Sequence, residues 1–440
     1  MFHRFLFTKI DNSPLLIFRM FFGALIALEC YGAIITGWVK RTLLEPNFTF
    51  NFIGFDWLQP LPGLGMYIYF FAMGTLGVLI ALGYKYRFSI VSFTLLWTGV
   101  YLMQKTSYNN HYYLLILISG LMCFFPAHRN YALDTKKNPA LKSDSMHAYV
   151  KWIIVLQLLI VYTYASFAKL YTDWLDYGII ELLMRNKVEY PVIGDLLQQP
   201  WLHKFIGIAG ILFDLLIVPA LLWRPTRKMA FVAAIVFHLF NSIVFQIGIF
   251  PYLSLAFTVF FFDPETIRLL FFKKKKPFRI HKIEIPSYKT VFYVLIGIYF
   301  AIQLGLPLRH NVIKDNVLWT EEGHRLSWRM MLRSRYGTIQ FKVVDKVSGT
   351  SEIIELENYL TKKQRNRIGS YPDFIWQFAQ RLKKEYAVKG KSIAVYAFNS
   401  KVSINGKPYR AFIDPKIDLA NASWDYFWHN EWILPSEYKE

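Results

Sequence analysis

The chain has 440 residues, 54% of them hydrophobic and 18% aromatic, yet it carries a formal charge of +20. An ordinary soluble domain does not gather apolar residues into long blocks, as this chain does before about position 307, so the composition describes a polytopic α-helical membrane protein with a polar tail. Cys30 and Cys123 both lie in apolar stretches, which excludes a disulfide framework and a paired-cysteine zinc site.

In chain order, the first apolar block runs from Pro14 to Trp38. It is too long for a signal-peptide core and offers no small-residue cleavage site, so it is expected to be a retained helix. A hydrocarbon core of about 30 Å takes roughly 20 apolar residues per helix. On that ruler the spans fall near 14–38, 64–83, 88–104, 111–126, 148–170, 203–223, 229–248, 250–263 and 289–307, about nine crossings. The pair split by Pro251 could instead form one re-entrant hairpin.

Basic residues orient these spans. With the N-terminus inside, the inner segments hold Arg4, Lys9, Lys85, Arg87, Arg129, Lys136, Lys137, Lys142, Arg224, Arg227, Lys228, Arg268, Lys273 to Lys276, Arg279 and Lys282. The outer segments hold only Lys40, Arg41, Lys105, Arg185, Lys187 and Lys204. The N-terminus is therefore expected in the cytoplasm and everything after Leu308 in a periplasm or lumen. The run Lys273 to Lys276 follows a membrane helix without interleaved aromatics, so it is expected to meet anionic lipid and not nucleic acid.

The division expected is a transmembrane helical domain over 1–307 and an extracytoplasmic α+β domain over 308–440. In the tail, Ile339, Phe341 and Val343 and then Ile393 and Val395 alternate with strand period. Asn405-Gly406 marks a hairpin, and Phe374, Ile375, Phe378, Ala379 and Leu382 share one helical face.

Ionisable groups inside apolar spans are costly unless they are paired or used. Lys169 ends the fifth span near Asp173 and Trp174, either as a snorkelling interfacial lysine or as a partly desolvated amine able to act as a base. His238 and Asn241 lie one turn apart in the seventh span, as interhelical hydrogen-bond glue or as a cavity wall. The connection from Lys105 through Asn109 and Asn110 to His111 is unusually polar, which suits either helix capping or a pocket wall. Gly323 to Arg335 brings together Arg325, Arg329, Arg333 and Arg335, a solvated stretch or a set of forks for carboxylates. No HxxxH or HxxH pair, Walker loop, dinucleotide fingerprint or nucleophile elbow occurs, so no metal is expected.

At these same residues the chain resembles the vitamin K-dependent gamma-glutamyl carboxylase family and its bacterial relatives. The likeness rests on Lys105-Thr106-Ser107 with Asn109-Asn110-His111, on Ala165 to Leu170 with Asp173-Trp174, and on Phe237-His238 with Asn241-Ser242 and Ile247-Gly248. It continues in Ser327-Trp328, Met330-Met331, Ser334-Arg335, Val402-Ser403-Ile404 and Asp414-Pro415.

The resemblance implies an enzyme that uses reduced vitamin K, a menaquinol in a bacterium, with oxygen and carbon dioxide as co-substrates. Oxygenation of the quinol supplies a base that removes the γ-proton of a peptide glutamate; carbon dioxide adds to the carbanion, and the quinone leaves as its epoxide. It implies Lys169 and His111 as catalytic residues, Asn110, His238 and Asn241 in the quinone pocket, and Arg185, Trp328, Arg333 and Arg335 around the glutamate. The expected partners are a glutamate-containing peptide or protein and membrane lipid. Arg333 stands where animal members have a histidine, and Arg329 where they have an acidic residue. The alternatives are quinol epoxidation without carboxylation, or a transporter or scaffold with Lys169, His238 and Asn241 along a polar path.

Overall fold

The computed structural model describes residues 2–278 and 283–437. Arg279 and Lys282 of the inner basic set, and the tail's last residues 438–440, lie outside the described residues. The membrane half is built from α1 (Ser13–Ile35), α2 (Gly65–Leu82), α3 (Tyr86–Met103), α4 (Asn110–Met122) and α5 (Ala148–Phe167). A short α6 (Gly178–Arg185) then leads to α7 (Pro200–Leu222), α8 (Arg227–Phe245), α9 (Phe250–Phe257) and α10 (Lys289–Gly305).

Each expected span falls on a helix, but among the described residues six helices are long and apolar enough to cross a membrane: α1, α2, α5, α7, α8 and the run from Lys289 to Asn311. The exception with the clearest cause follows α8. Gln246 and Gly248 take positive φ values of 51° and 64°, which ends α8, and Pro251 opens the next helix in its first turn, where a missing N–H is tolerated. The apolar helix Phe250–Phe260 that follows covers about 17 Å, half a bilayer. Its residues Pro251, Leu253, Ser254, Ala256 and Phe257 are buried by protein.

Small residues set the closest helix contact. A Cβ on Gly23 of α1 would lie 2.4 Å from the Ala81 backbone nitrogen, and one on Gly77 of α2 would lie 2.8 Å from that of Ala27. The two backbones therefore touch, as glycine permits where lipid supplies no hydrophobic drive between helices.

At one end of the bundle, strand β1 (Lys9–Asp11) pairs antiparallel with β2 (Ser145–His147). Lys275 is buried beneath them, its ammonium donating to the Asp11 carboxylate at 2.6 Å and to the Asp144 carbonyl at 3.2 Å. The lipid reading of the lysine run does not extend to Lys275: Lys273, Lys274 and Lys276 are exposed, while Lys275 is an internal cation that ties the N-terminal strand to the chain after α9.

At the other end sits the tail, a four-stranded antiparallel sheet ordered β4 (Ser351–Ile353), β3 (Arg335–Asp345), β5 (Ile393–Ile404), β6 (Arg410–Ala411). In β3 and β5, Val343 faces Val395 and Phe341 faces Ala397. Asn405 and Gly406 carry φ values of 54° and 76°, the positive pair a tight hairpin turn requires. Helix α11 (Lys362–Ile368) opens with a Thr361–Gln364 capping box. Helix α12 (Pro372–Val388) buries Phe374, Ile375, Phe378, Ala379 and Leu382 against the sheet.

That core also takes Phe48 and Phe50 from the α1–α2 connection. Phe50 stacks on Phe374 at 4.8 Å, and Gln364 donates to the Phe48 carbonyl at 2.8 Å. The membrane half thus supplies part of the tail's interior.

Candidate functional site

Just beyond the end of α5 the chain leaves the helix through two tight turns, which aim Lys169 back toward α7. Its Nζ donates to the Ala165 carbonyl at 3.0 Å and to the Asp214 carboxylate on α7, and both partners are buried. The Trp174 ring lies 5.4 Å beneath the ammonium, held by its own N–H on the Gly207 carbonyl. A Cβ on Gly210 would stand 3.4 Å from the Trp174 ring and 3.9 Å from Lys169 Cε, ordinary contact distances, so α7 packs directly against the lysine and its indole.

The pair lies on the wall of a cavity of about 740 Å³. Most of that wall is apolar, with Leu183, Phe205, Phe213, Val232, Val236 and Phe237 among its residues. Lys169, Asp214, His111, His238, Asn241 and Tyr162 supply polar groups to it. His238 Nε2 is hydrogen-bonded to the Tyr162 hydroxyl at 3.2 Å, and its Nδ1 is buried without a partner. His111 stacks on Phe250 with ring centroids 3.7 Å apart, and His238 meets the same ring at 6.2 Å. An apolar cavity with a few convergent polar groups, one of them orphaned, fits a lipid-soluble quinol.

A second cavity, of about 750 Å³, lies at the junction with the tail, and Glu29, Lys105, Asn110, His324, Arg325, Arg329 and Arg333 are on its wall. Asn110 accepts from the Tyr108 hydroxyl at 2.8 Å and donates to the Arg329 carbonyl at 3.0 Å. It therefore faces this polar cavity and not the apolar one lined by His111, His238 and Asn241. His111, Ile247, Met330 and Met331 line both cavities. The loop that supplies the two methionines is strained, with positive φ at Leu326, Trp328 and Met331 (63°, 59° and 55°).

The cations at this junction are already committed in different degrees. Lys105 and Arg325 converge on the Asp373 carboxylate, Arg325 as a fork at 2.7 and 3.2 Å. Burial chiefly, and Arg325 after it, pushes Lys105 down to about 8, against the pull of Asp373. Burial acts to raise the Asp373 carboxyl, but Arg325 and Lys105 hold it below its ordinary value. Arg333 grips the Glu321 carboxylate through Nε and Nη2, which leaves Nη1 for another acceptor.

Three expected glutamate-binding residues are not brought to either wall. Arg185 is exposed, its side chain 67% accessible, and pairs with Glu181 one turn earlier at 3.1 Å. Arg335 is buried and donates to the Trp319 and Ser370 carbonyls at 2.8 and 2.9 Å, and burial pushes it down to about 10. Trp328 is buried against Tyr113 at 4.9 Å. These last two support the wall from behind.

Sequence reading missed Asp214, although a lone aspartate inside an apolar span was signal enough. It also missed Glu29, whose carboxylate accepts from the Tyr112 hydroxyl at 2.7 Å. Asp373 and Glu321 carried no signal, because their partners lie elsewhere in the chain.

Among known proteins, residues 7–265 match the family model described as the HTTM domain, and residues 288–439 match the lumenal domain of vitamin K-dependent gamma-carboxylase. No solved structure matches the chain. The two matches cover nearly all of the apolar bundle and the tail that closes over it, and on them the chain belongs to the vitamin K-dependent gamma-carboxylase family, as an integral membrane protein.

Proposed function

We propose that this protein couples oxygen-dependent epoxidation of reduced vitamin K, a menaquinol, to γ-carboxylation of peptide glutamate, with the first substrate in the apolar cavity and the second in the polar one. The observation that carries this reading is the common wall of His111, Ile247, Met330 and Met331, which sets a lipid-compatible site against an arginine-lined one. Reduced vitamin K, when bound, supplies with oxygen the base strong enough to remove a γ-proton.

The chain's own residues manage the first proton. In the pair as it stands, the ammonium of Lys169 faces a carboxylate that can take its proton. Transfer from Nζ to Asp214 leaves a neutral amine on the wall, ready to accept a proton from a hydroxyl in the cavity. The base is thus the pair, with Lys169 as its leading atom and Asp214 as the sink. His238 and Asn241 offer hydrogen bonds that orient such a hydroxyl, and His111 on Phe250 closes the side toward the polar cavity.

On the far side, the open Nη1 of Arg333 holds the glutamate carboxylate, while the apolar chamber excludes water from the neighbouring chemistry. In this reading the tail lies in the periplasm or lumen and the N-terminus in the cytoplasm. That arrangement agrees with the gathering of β1, β2 and buried Lys275 at the end of the bundle away from the tail.

A second reading, epoxidation alone, draws on one observation: Arg325 and Arg333 already hold Asp373 and Glu321, so much of the cavity's positive charge is spent internally. One assay decides. Purified protein receives reduced menaquinone, oxygen, labelled bicarbonate and a glutamyl peptide, wild type beside Lys169→Ala. Label and epoxide formed together, and both lost in the variant, are expected; epoxide without label selects the second reading, and neither product overturns both.

A further inference from the structure

Of the four arginines on the polar cavity's wall, Arg325 and Arg333 hold carboxylates, while Arg329 and Arg367 have no carboxylate partner among the described residues, and of these two Arg367 is exposed to solvent. Arg329 Nη1 meets only the ring of His310, at 3.3 Å, and its Nε is buried with nothing to receive it. Beside it on the same wall, His324 is buried to 3% exposure with both ring nitrogens unpartnered. Buried donors without acceptors are uncommon, and two such groups on one cavity wall mark a place where a ligand completes the set.

The chemistry of that ligand follows from charge. Burial first, then Arg333, Arg329, Arg325 and Arg335, hold the His324 imidazole well below its usual value, so it is neutral and can donate from one nitrogen. Burial and then Arg333 also lower Arg329, against a weaker pull from Tyr171 and from Glu321, whose carboxylate is already gripped by Arg333. The missing group is an anion with acceptor oxygens.

Resting on the carboxylation reading, a second anion arises within turnover. The Cγ–H bond of glutamate breaks and its proton leaves to the base. The electron pair left on Cγ forms the new bond to carbon dioxide, and one C=O π pair moves onto oxygen. One bound carboxylate becomes two on the same carbon, with one more negative charge than the glutamyl side chain had. A site with only the open Nη1 of Arg333 would leave that charge unmatched.

We propose that Arg329, with His324 as its hydrogen-bonding neighbour, forms a second carboxylate subsite that receives the carboxylate made from carbon dioxide, beside the glutamate carboxylate at Arg333. The site then prefers a malonate-type geminal dicarboxylate over a monocarboxylate.

The test needs no turnover. Full-length protein in detergent, without quinone, is titrated calorimetrically with a γ-carboxyglutamyl peptide and with the glutamyl peptide of the same sequence. Wild type is expected to bind the first at least about tenfold more tightly. Arg329→Gln is expected to abolish that preference while holding glutamyl affinity within about threefold, and Arg329→Lys to keep part of it. If Arg329→Gln does not fold, competition by malonate against acetate on wild type reads the same preference. Equal affinities in wild type, or a preference that survives Arg329→Gln, overturn the subsite. A preference without carboxylation in the turnover assay overturns the carboxylase reading and the product role of the subsite, leaving only a dicarboxylate-binding site; carboxylation without a preference overturns the subsite and leaves the carboxylase reading standing.

Discussion

Among the buried lysines that face buried aspartates, Lys169 and Lys105 are given opposite characters by their surroundings. Lys169 and Asp214 form a one-to-one pair on the wall of an apolar cavity, so a proton shifted between them has a chamber into which the freed amine can act. Lys105 meets Asp373 at the junction with the tail, where Arg325 claims the same carboxylate as a fork. A carboxylate already held by a guanidinium that never gives up its charge is a poor proton sink. Under the proposed function the first pair exchanges a proton, whereas the second holds two halves of the molecule together, though the residue types are the same. What separates them is the third charge.

The largest expected effect breaks the first pair. Lys169→Ala should lower epoxide formation by about 10³-fold or more, and Lys169→Arg should fare little better, since arginine keeps the charge but cannot become a neutral base. Steady-state quinone epoxide assays read both, and an arginine variant with full activity would remove Lys169 from the proposed role. Asp214→Asn is the next test: with the sink removed, activity should fall about 10²-fold while the protein stays folded.

The same change in the other pair should act on stability. Asp373→Asn leaves Lys105 and Arg325 without a counter-charge in a buried position and should cost about 3 kcal/mol or more, measured as a lowered thermal midpoint. Adding Lys105→Met should recover part of the loss, because it removes one of the stranded charges; Lys169→Met should not rescue Asp373→Asn. If Asp373→Asn instead abolished turnover at unchanged stability, the division between an exchanging and a clamping pair would be wrong.

The smallest effect concerns a third pair, within the tail region. His429 Nδ1 meets the Glu322 carboxylate at 2.7 Å, and that hydrogen bond raises the histidine above its ordinary value of about 6.5. A raised histidine stabilises the fold fully below the unfolded value and loses that contribution as pH rises through the folded one. Wild type should therefore lose a little thermal stability above about pH 6.5, and His429→Gln should flatten that slope.

Much of this was legible in the residues. Apolar runs located the long helices of the bundle, since one face or all of each must be buried or lipid-facing, and strand period with Asn405-Gly406 located β3, β5 and their turn. Lys169, His111, His238 and Asn241 were legible because polar groups in apolar spans stand out, and the structure gathers all four around one cavity. The polar cavity was harder. Its arginines were visible as a cluster, but which of them is spent and which is open depends on Asp373 and Glu321, whose approach is a matter of tertiary packing. Lys275 was misjudged for the same reason: its partner Asp11 lies far away in the chain. Composition shows where charge is plentiful, and only the fold shows where it is already cancelled.

The wall of His111, Ile247, Met330 and Met331 lies between a mostly apolar cavity and one lined by arginines. A chemist who needs a reagent soluble in oil to act on a substrate soluble in water uses a phase-transfer agent, which diffuses between the layers and loses most of its reagent to the medium. Here, under the proposed function, the boundary itself is fixed at the thickness of a few side chains. A base made on the oily side must touch the γ-proton it removes, so one imidazole, one aliphatic chain and two thioethers border that point of contact and do not stand between base and target. None of the last three can be protonated by water or carry a proton away, so the short-lived reagent would be insulated up to the point of use.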